Sequence, residues 1–127
     1  MLRILTALVT LLAVHHLMAI EHSKDSIDTI KSRVKQGQAV LIDVREQDEW
    51  DAGHLKDVRL LPLSELKAGT ANSRIAELLP QGKIVYCHCR SGGRVIPAGE
   101  ILQKLGYDVR PLKQGYQDLL QLGFEQE

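Results

Sequence analysis

A sequence of 127 residues with 44% hydrophobic and 25% charged side chains describes one domain of ordinary size with one hydrophobic core, and excludes a second catalytic unit or a fibrous chain. Sixteen Lys and Arg balance sixteen Asp and Glu, so no positive field is present to gather nucleic acid or an anionic membrane surface. Two cysteines, spaced as Cys87-His88-Cys89, are too few for a disulfide framework and concentrate the chemistry in one place.

In chain order, Arg3 gives a short positive start, and Ile4 to Val14 is apolar apart from Thr6 and Thr10, as in the apolar region of an export signal. Ala19 is the candidate last residue before cleavage, although Leu17 is larger than the small residue such sites prefer. The expectation is a signal peptide over residues 1–19 and a domain working in the periplasm, an oxidising compartment. The alternative is an uncleaved anchor, because Ile4 to Ile20 would span roughly 25 Å as a helix, the lower limit for crossing a bilayer. Contact with a membrane is expected only in that case.

After residue 20 the chain alternates helical and strand-like patterns without repeats or a linker, which predicts one α/β domain. Ile27, Ile30 and Val34 fall at helical spacing, with Asp25 or Ser26 as the cap and Gly37 as the left-handed stop. The runs Ala39 to Ile42 and Ile84 to Cys87 are continuously apolar, as central parallel strands covered on both faces require. Between them, Gln47 to Ala52 and Asn72 to Leu79 predict short helices, and Val58 to Leu61 a further strand. Val95, Ala98, Leu102 and Leu105 recur at helical steps up to Gly106, with Pro97 tolerable in the first turn. Val109 to Leu112 predicts an edge strand, because it contains Pro111, and Tyr116, Leu119 and Leu120 before Gly123 predict a last helix.

Ligands of open parallel sheets bind beyond the carboxyl ends of the strands, where Asp43 to Arg45 and Cys89 to Arg94 both fall. Cys89-Arg90-Ser91-Gly92-Gly93-Arg94 joins a buried strand to the helix beginning near Val95. Paired glycines allow successive N–H groups to turn inward around the sulfur, the helix N-terminus adds partial positive charge, and Arg90 and Arg94 add full charges. These favour thiolate over thiol at Cys89, the candidate nucleophile. The competing reading is a glycine-rich turn around an inert cysteine.

These residues resemble the rhodanese homology family, in particular its single-domain exported members. The six-residue Cys89 loop carries the resemblance, supported by Leu41-Ile42-Asp43-Val44-Arg45, Glu49-Trp50, Gly53-His54-Leu55, Pro62 and Leu105-Gly106-Tyr107. It covers residues 23–124 and implies a rhodanese-like α/β domain, a central parallel sheet with helices on both faces. It also implies a sulfurtransferase cycle in which Cys89 takes the outer sulfur of thiosulfate or a related small anionic donor as a persulfide and passes it to a thiol or cyanide acceptor. Arg90, Ser91, Gly92, Gly93 and Arg94 would hold the donor, with no metal or organic cofactor. Two departures stand out: Gln114-Gly115 replaces the paired glycines common before the last helix, and Cys87 is a second cysteine where the family usually has none.

Asp43 and Arg45 are expected to support the loop, since arginine pairs bidentately with carboxylate. Cys87 is expected to be a buried structural thiol. The alternative is a strained bridge, because Cα atoms two apart on a strand are about 6.6 Å from one another. Alternation turns His88 away from both sulfurs, which argues against a metal site. His54 is expected to cap a turn and Trp50 to lie in the core, with Glu46, Asp48, Glu49 and Asp51 on a solvated helix face. Two other functions compete. The phosphatases and arsenate reductases of this fold need a longer ring to encircle a tetrahedral oxyanion than the four residues between Cys89 and Arg94 allow. A non-catalytic sulfur-carrier or docking module would not need every element of the loop.

Overall fold

The computed structural model describes residues 19–127; the expected signal or anchor segment, apart from Ala19 and Ile20, lies outside the described residues. Among those described, no helix is long and apolar enough to cross a membrane. The elements run α1 (Ile27–Lys35), β1 (Ala39–Asp43), α2 (Gln47–Ala52), β2 (Arg59–Leu60), α3 (Leu63–Ala68), α4 (Asn72–Leu78), β3 (Ile84–His88), α5 (Val95–Lys104), β4 (Asp108–Pro111) and α6 (Tyr116–Gln121). The strands form one sheet in the order β2-β1-β3-β4, and every pairing is parallel. The two continuous apolar runs thus occupy the centre, where both faces are covered.

The two-residue period of the strands sorts the core into two layers. Ile42, Val44, Val85, Cys87 and Cys89 point to one face, beneath Leu66 of α3, Ile75 of α4 and Val95, Ala98 and Leu102 of α5. Ala39, Leu41 and Tyr86 point to the other, beneath Ile30 of α1 and Leu119 of α6. Register pairs Ile42 with Cys87 and Asp43 with His88, so the carboxyl ends of β1 and β3 finish flush.

Ser26 caps α1 by accepting from the Thr29 amide at 3.1 Å, which leaves Asp25 for another task. Its carboxylate accepts from the Tyr86 hydroxyl at 2.7 Å, Arg33 at 2.9 Å and Arg110 at 3.1 Å. The Tyr86 hydroxyl foremost, and then the two guanidiniums, hold the Asp25 carboxyl below its ordinary value. One carboxylate thereby fastens the chain entering α1 to β3 and β4.

Three elements differ from the sequence expectation. Helix α3 was not anticipated: six residues with two buried leucines, Leu63 and Leu66, are too short for a periodic pattern to stand out. Strand β2 is two residues long, not four: only Arg59 and Leu60 pair with β1, and Asp57, two residues before it, takes a positive φ of 61°. Strand β4 begins at Asp108 and ends at Pro111. Its edge position is as expected, and Pro111, which has no amide, turns its carbonyl outward to accept from Ser23 at 2.7 Å.

Leu102 is fully buried at the centre of the α5 layer. Leu102→Ala is expected to cost about 2–5 kcal/mol, read as a lower urea midpoint at an unchanged denaturant slope.

Candidate active site

Strand β3 ends at His88 and the chain turns at once into the loop that α5 closes at Val95. Cys89, the first loop residue, is 1% exposed. Its Sγ accepts from the Gly92 amide at 3.1 Å, the one amide among the described residues that does so. Gly92 has a φ of +86°, and a Cβ there would stand 2.7 Å from the Lys113 carbonyl oxygen, so both conformation and space require glycine. Gly93 differs from the expectation of two conformationally special glycines: its φ is not positive, and a Cβ would meet nothing within 4 Å.

The turn from β4 to α6 walls the loop on its other side. A Cβ at Gly115 would fall 1.8 Å from the Arg90 carbonyl oxygen, so backbone packs directly on backbone. The Tyr116 amide donates to the Cys89 carbonyl at 2.9 Å, which fixes the residue bearing the sulfur. Gln114-Gly115 thus keeps glycine at the position of closest approach.

The two loop arginines have different surroundings. Arg94 donates from both terminal nitrogens to Glu49, at 2.5 and 2.9 Å, a bidentate clamp between α2 and the start of α5. The Arg94 hydrogen bonds, chiefly, pull the Glu49 carboxyl down to about 2 against some opposition from burial. Glu49 therefore leaves the solvated face expected for it, while Asp48 and Asp51 stay exposed. Arg90 is exposed and makes no ion pair among the described residues. It shares with Arg45, Glu49, Gly53, Tyr116 and Gln117 the lining of a cavity of about 340 Å³. A cleft of about 460 Å³ at the opposite, amino end of the strands is lined by Gly37, Ala39, Pro80 and Lys83 among others and has no cysteine.

Asp43 and Arg45 form a buried pair, with the guanidinium at 2.9–3.1 Å from the carboxylate and a further donation to the Gly53 carbonyl at 2.7 Å. The same guanidinium lies 4.1 Å from the centre of the Tyr116 ring, a cation–π contact. Since Tyr116 also holds the Cys89 carbonyl, the chain of contacts from Asp43 reaches the loop through Arg45 and Tyr116.

His88 is fully buried on the face opposite Cys89, as alternation requires, beside Asp43. Burial pushes its imidazole below the ordinary value, which keeps it neutral. Cys87 is fully buried with its Sγ 3.8 Å from the Val95 carbonyl. Burial raises this thiol well above the ordinary range, so it is a poor nucleophile. Both cysteines are free thiols. His54 stacks flat on Trp50 at 3.7 Å and donates to its carbonyl, closing the turn after α2. Sequence reasoning missed Glu49, Gly115 and Tyr116 as parts of this site. The available signals were Glu49-Trp50, read only as a family match, and Gln114-Gly115, read only as a departure from the family.

Residues 26–121 match the model of the rhodanese-like domain. The chain belongs to the rhodanese-like family. Membership places it in a family of sulfurtransferases. It is 36% identical over 80 residues to the uncharacterized protein YqhL of Bacillus subtilis, covering 62% of this chain and 59% of that one. It is 33% identical over 67 residues to the probable adenylyltransferase/sulfurtransferase MoeZ of Mycobacterium tuberculosis, covering 53% of this chain and 16% of that protein. This chain thus spans about three fifths of one curated relative and a small part of the other. Among solved structures, the human single-domain sulfurtransferase TSTD1 superposes with a TM-score of 0.63 at 26% identity, covering 75% of this chain and 92% of that one.

The rhodanese-like loop separates its glycines experimentally. Gly92→Ala is expected to lower the melting temperature and displace the Lys113 carbonyl, whereas Gly93→Ala stays within about 0.5 kcal/mol of the parent; thermal melts of both variants check this. The Glu49 clamp has a pH signature. Its folded value of about 2 lies below the ordinary 4.5, so its stabilisation is complete above pH 4.5 and is lost as pH falls toward 2. The stability gap between the parent and Glu49→Gln should narrow over that interval in urea titrations.

Proposed function

We propose that this rhodanese-like domain transfers sulfane sulfur through a persulfide on Cys89. The observation that carries the reading is the Gly92 amide directed at Cys89 Sγ from 3.1 Å, in a loop that opens on the N-terminus of the ten-residue helix α5. In the first half-reaction the Cys89 thiolate attacks the outer sulfur of thiosulfate or a related donor. The donor S–S bond breaks, and sulfite leaves with the electron pair. In the second, a thiolate or cyanide attacks the outer sulfur of the persulfide, and the Cys89 thiolate is restored.

Arg90 meets the anionic donor, since it is exposed and carries no carboxylate partner among the described residues. Arg94 reaches the donor when Glu49 yields one of its two terminal nitrogens. Ser91, Gly92 and Gly93 supply the backbone wall, and Asp43 and Arg45 hold the loop in place through Tyr116. The cycle uses no metal or organic cofactor. The proposed place of action is the periplasm, a reading supported by the apolar run from Ile4 to Val14.

Incubation of the protein with thiosulfate, followed by peptide mass mapping, is expected to locate one added sulfur atom on the Cys89 peptide and none in Cys89→Ser. Absence of the added sulfur in the parent would sink the small-donor reading. Loading only from a persulfidated partner protein would favour a carrier. Hydrolysis of an aryl phosphate that disappears in Cys89→Ser would favour phosphatase chemistry.

A further inference from the structure

Residues 20–25, just before α1, do not hang free of the loop. His22 is exposed, yet its Nε2 lies 2.6 Å from the Gly92 carbonyl oxygen, seventy residues further along the sequence. Neighbouring contacts set it there. The Ser23 amide donates to the Pro111 carbonyl at 2.7 Å, adding an outer rung to the edge of β4. Asp25 is tied to Tyr86, Arg33 and Arg110. On the other side of His22, Ile20 packs against α5, its Cγ2 3.3 Å from where a Cβ on Gly99 would stand. A strap from Ile20 to Asp25 therefore crosses β4 with anchors at both ends and His22 between them.

Gly92 is the residue whose amide meets the reactive sulfur. Its N–H is directed at Cys89 Sγ, its α-carbon abuts the Lys113 carbonyl, and its own carbonyl accepts from His22. With no side chain, Gly92 keeps its backbone freedom except where its own N–H, α-carbon and carbonyl are held. The His22 hydrogen bond removes that freedom on the one side where neither the sulfur nor Lys113 restrains it. We infer that His22 is a positioning residue: by holding the Gly92–Gly93 peptide through the Gly92 carbonyl, it limits rotation at the Gly92 α-carbon, where that plane meets the Ser91–Gly92 plane whose amide is directed at the Cys89 sulfur. His22 lies outside residues 26–121, which match the family model, so the latch is contributed by a segment that precedes the matched domain. It acts on Gly92, not on substrate. The inference rests on Cys89 as the sulfur-bearing residue.

The test compares the parent with His22→Ala, which removes the donor, and His22→Gln, which can supply another N–H. Two readouts are taken: the maximal rate of thiosulfate loading at Cys89, and hydrogen exchange of the Gly92 amide by NMR with no donor present. His22→Ala is expected to load about two- to tenfold more slowly, the span of one hydrogen bond of ordinary net strength. The thiosulfate concentration at half-maximal rate should be unchanged, and Gly92 exchange should be faster by a similar factor. His22→Gln should recover most of both. Since the imidazole is exposed, core amides such as Val85 should exchange as in the parent, which separates a latch from general loosening. If the parent loads and either readout in His22→Ala equals the parent's, the latch is overturned. If the parent itself does not load, the sulfur-transfer reading falls and Gly92 exchange alone decides the latch: faster exchange upholds it and equal exchange overturns it.

Discussion

The site depends on one close approach of backbone to backbone, where the turn before α6 presses on the loop after β3. At Gly115 no side chain fits, since a Cβ would overlap the Arg90 carbonyl, and at Gly92 the Lys113 carbonyl occupies the corresponding space. Two glycines, one from each segment, let the strand-to-helix loop and the β4-to-α6 turn share a wall. Closeness of this kind leaves no room for solvent between the segments, and the orphan polar groups must then be satisfied by one another. The Tyr116 amide on the Cys89 carbonyl and the Gly92 amide on the Cys89 sulfur are that satisfaction. The sulfur is held by the same packing that closes the core.

Legibility in the sequence followed the range of the interactions. The central strands were readable because burial on both faces demands an unbroken apolar run, and Ala39 to Ile42 and Ile84 to Cys87 provide it. The loop was readable because cysteine, glycine and arginine within six residues have few other uses. Helix α3 was not, since Leu63 and Leu66 alone cannot display a period. Glu49 was not, for a different reason. Within its own helix it stands among acidic neighbours and completes a capping box with Glu46, which reads as a solvated face. Its partner Arg94 lies forty-five residues away, and local spacing does not report a pairing created by topology. Gly93 marks the opposite error, in which a residue type was given a conformational task that the chain does not assign to it.

Cys87 shows how neighbours of one chemical type acquire different properties. Both cysteines point to the same face and both are buried. Cys87 lies within the strand, buried in the apolar layer with its sulfur 3.8 Å from the Val95 carbonyl, and burial above all disfavours its negative charge. Cys89 lies one step beyond the strand end, where the backbone is released from the sheet ladder and an amide can turn toward the sulfur. A separation of two residues is enough to pass from a site that keeps its proton to one that an N–H donor serves.

The distribution of positive charge around the loop bears on turnover as well as on binding. Three guanidiniums lie on this face, but Arg45 is neutralised by Asp43 and Arg94 by Glu49, which leaves Arg90 as the one of the three without a carboxylate among the described residues. In the proposed cycle the donor and the departing sulfite are both dianions. Three uncompensated cations would hold either one firmly, and binding that is equal before and after the chemical step slows release without lowering the barrier. Pairing two of the three converts them into rigid struts that shape the cavity. In that cycle the arriving anion first meets Arg90, exposed and without a carboxylate partner among the described residues, and gains Arg94 only as Glu49 yields. The two carboxylates act in that cycle through what they withhold: Asp43 takes the Arg45 charge out of the anion's reach, and Glu49 holds back the Arg94 charge until the anion competes for it.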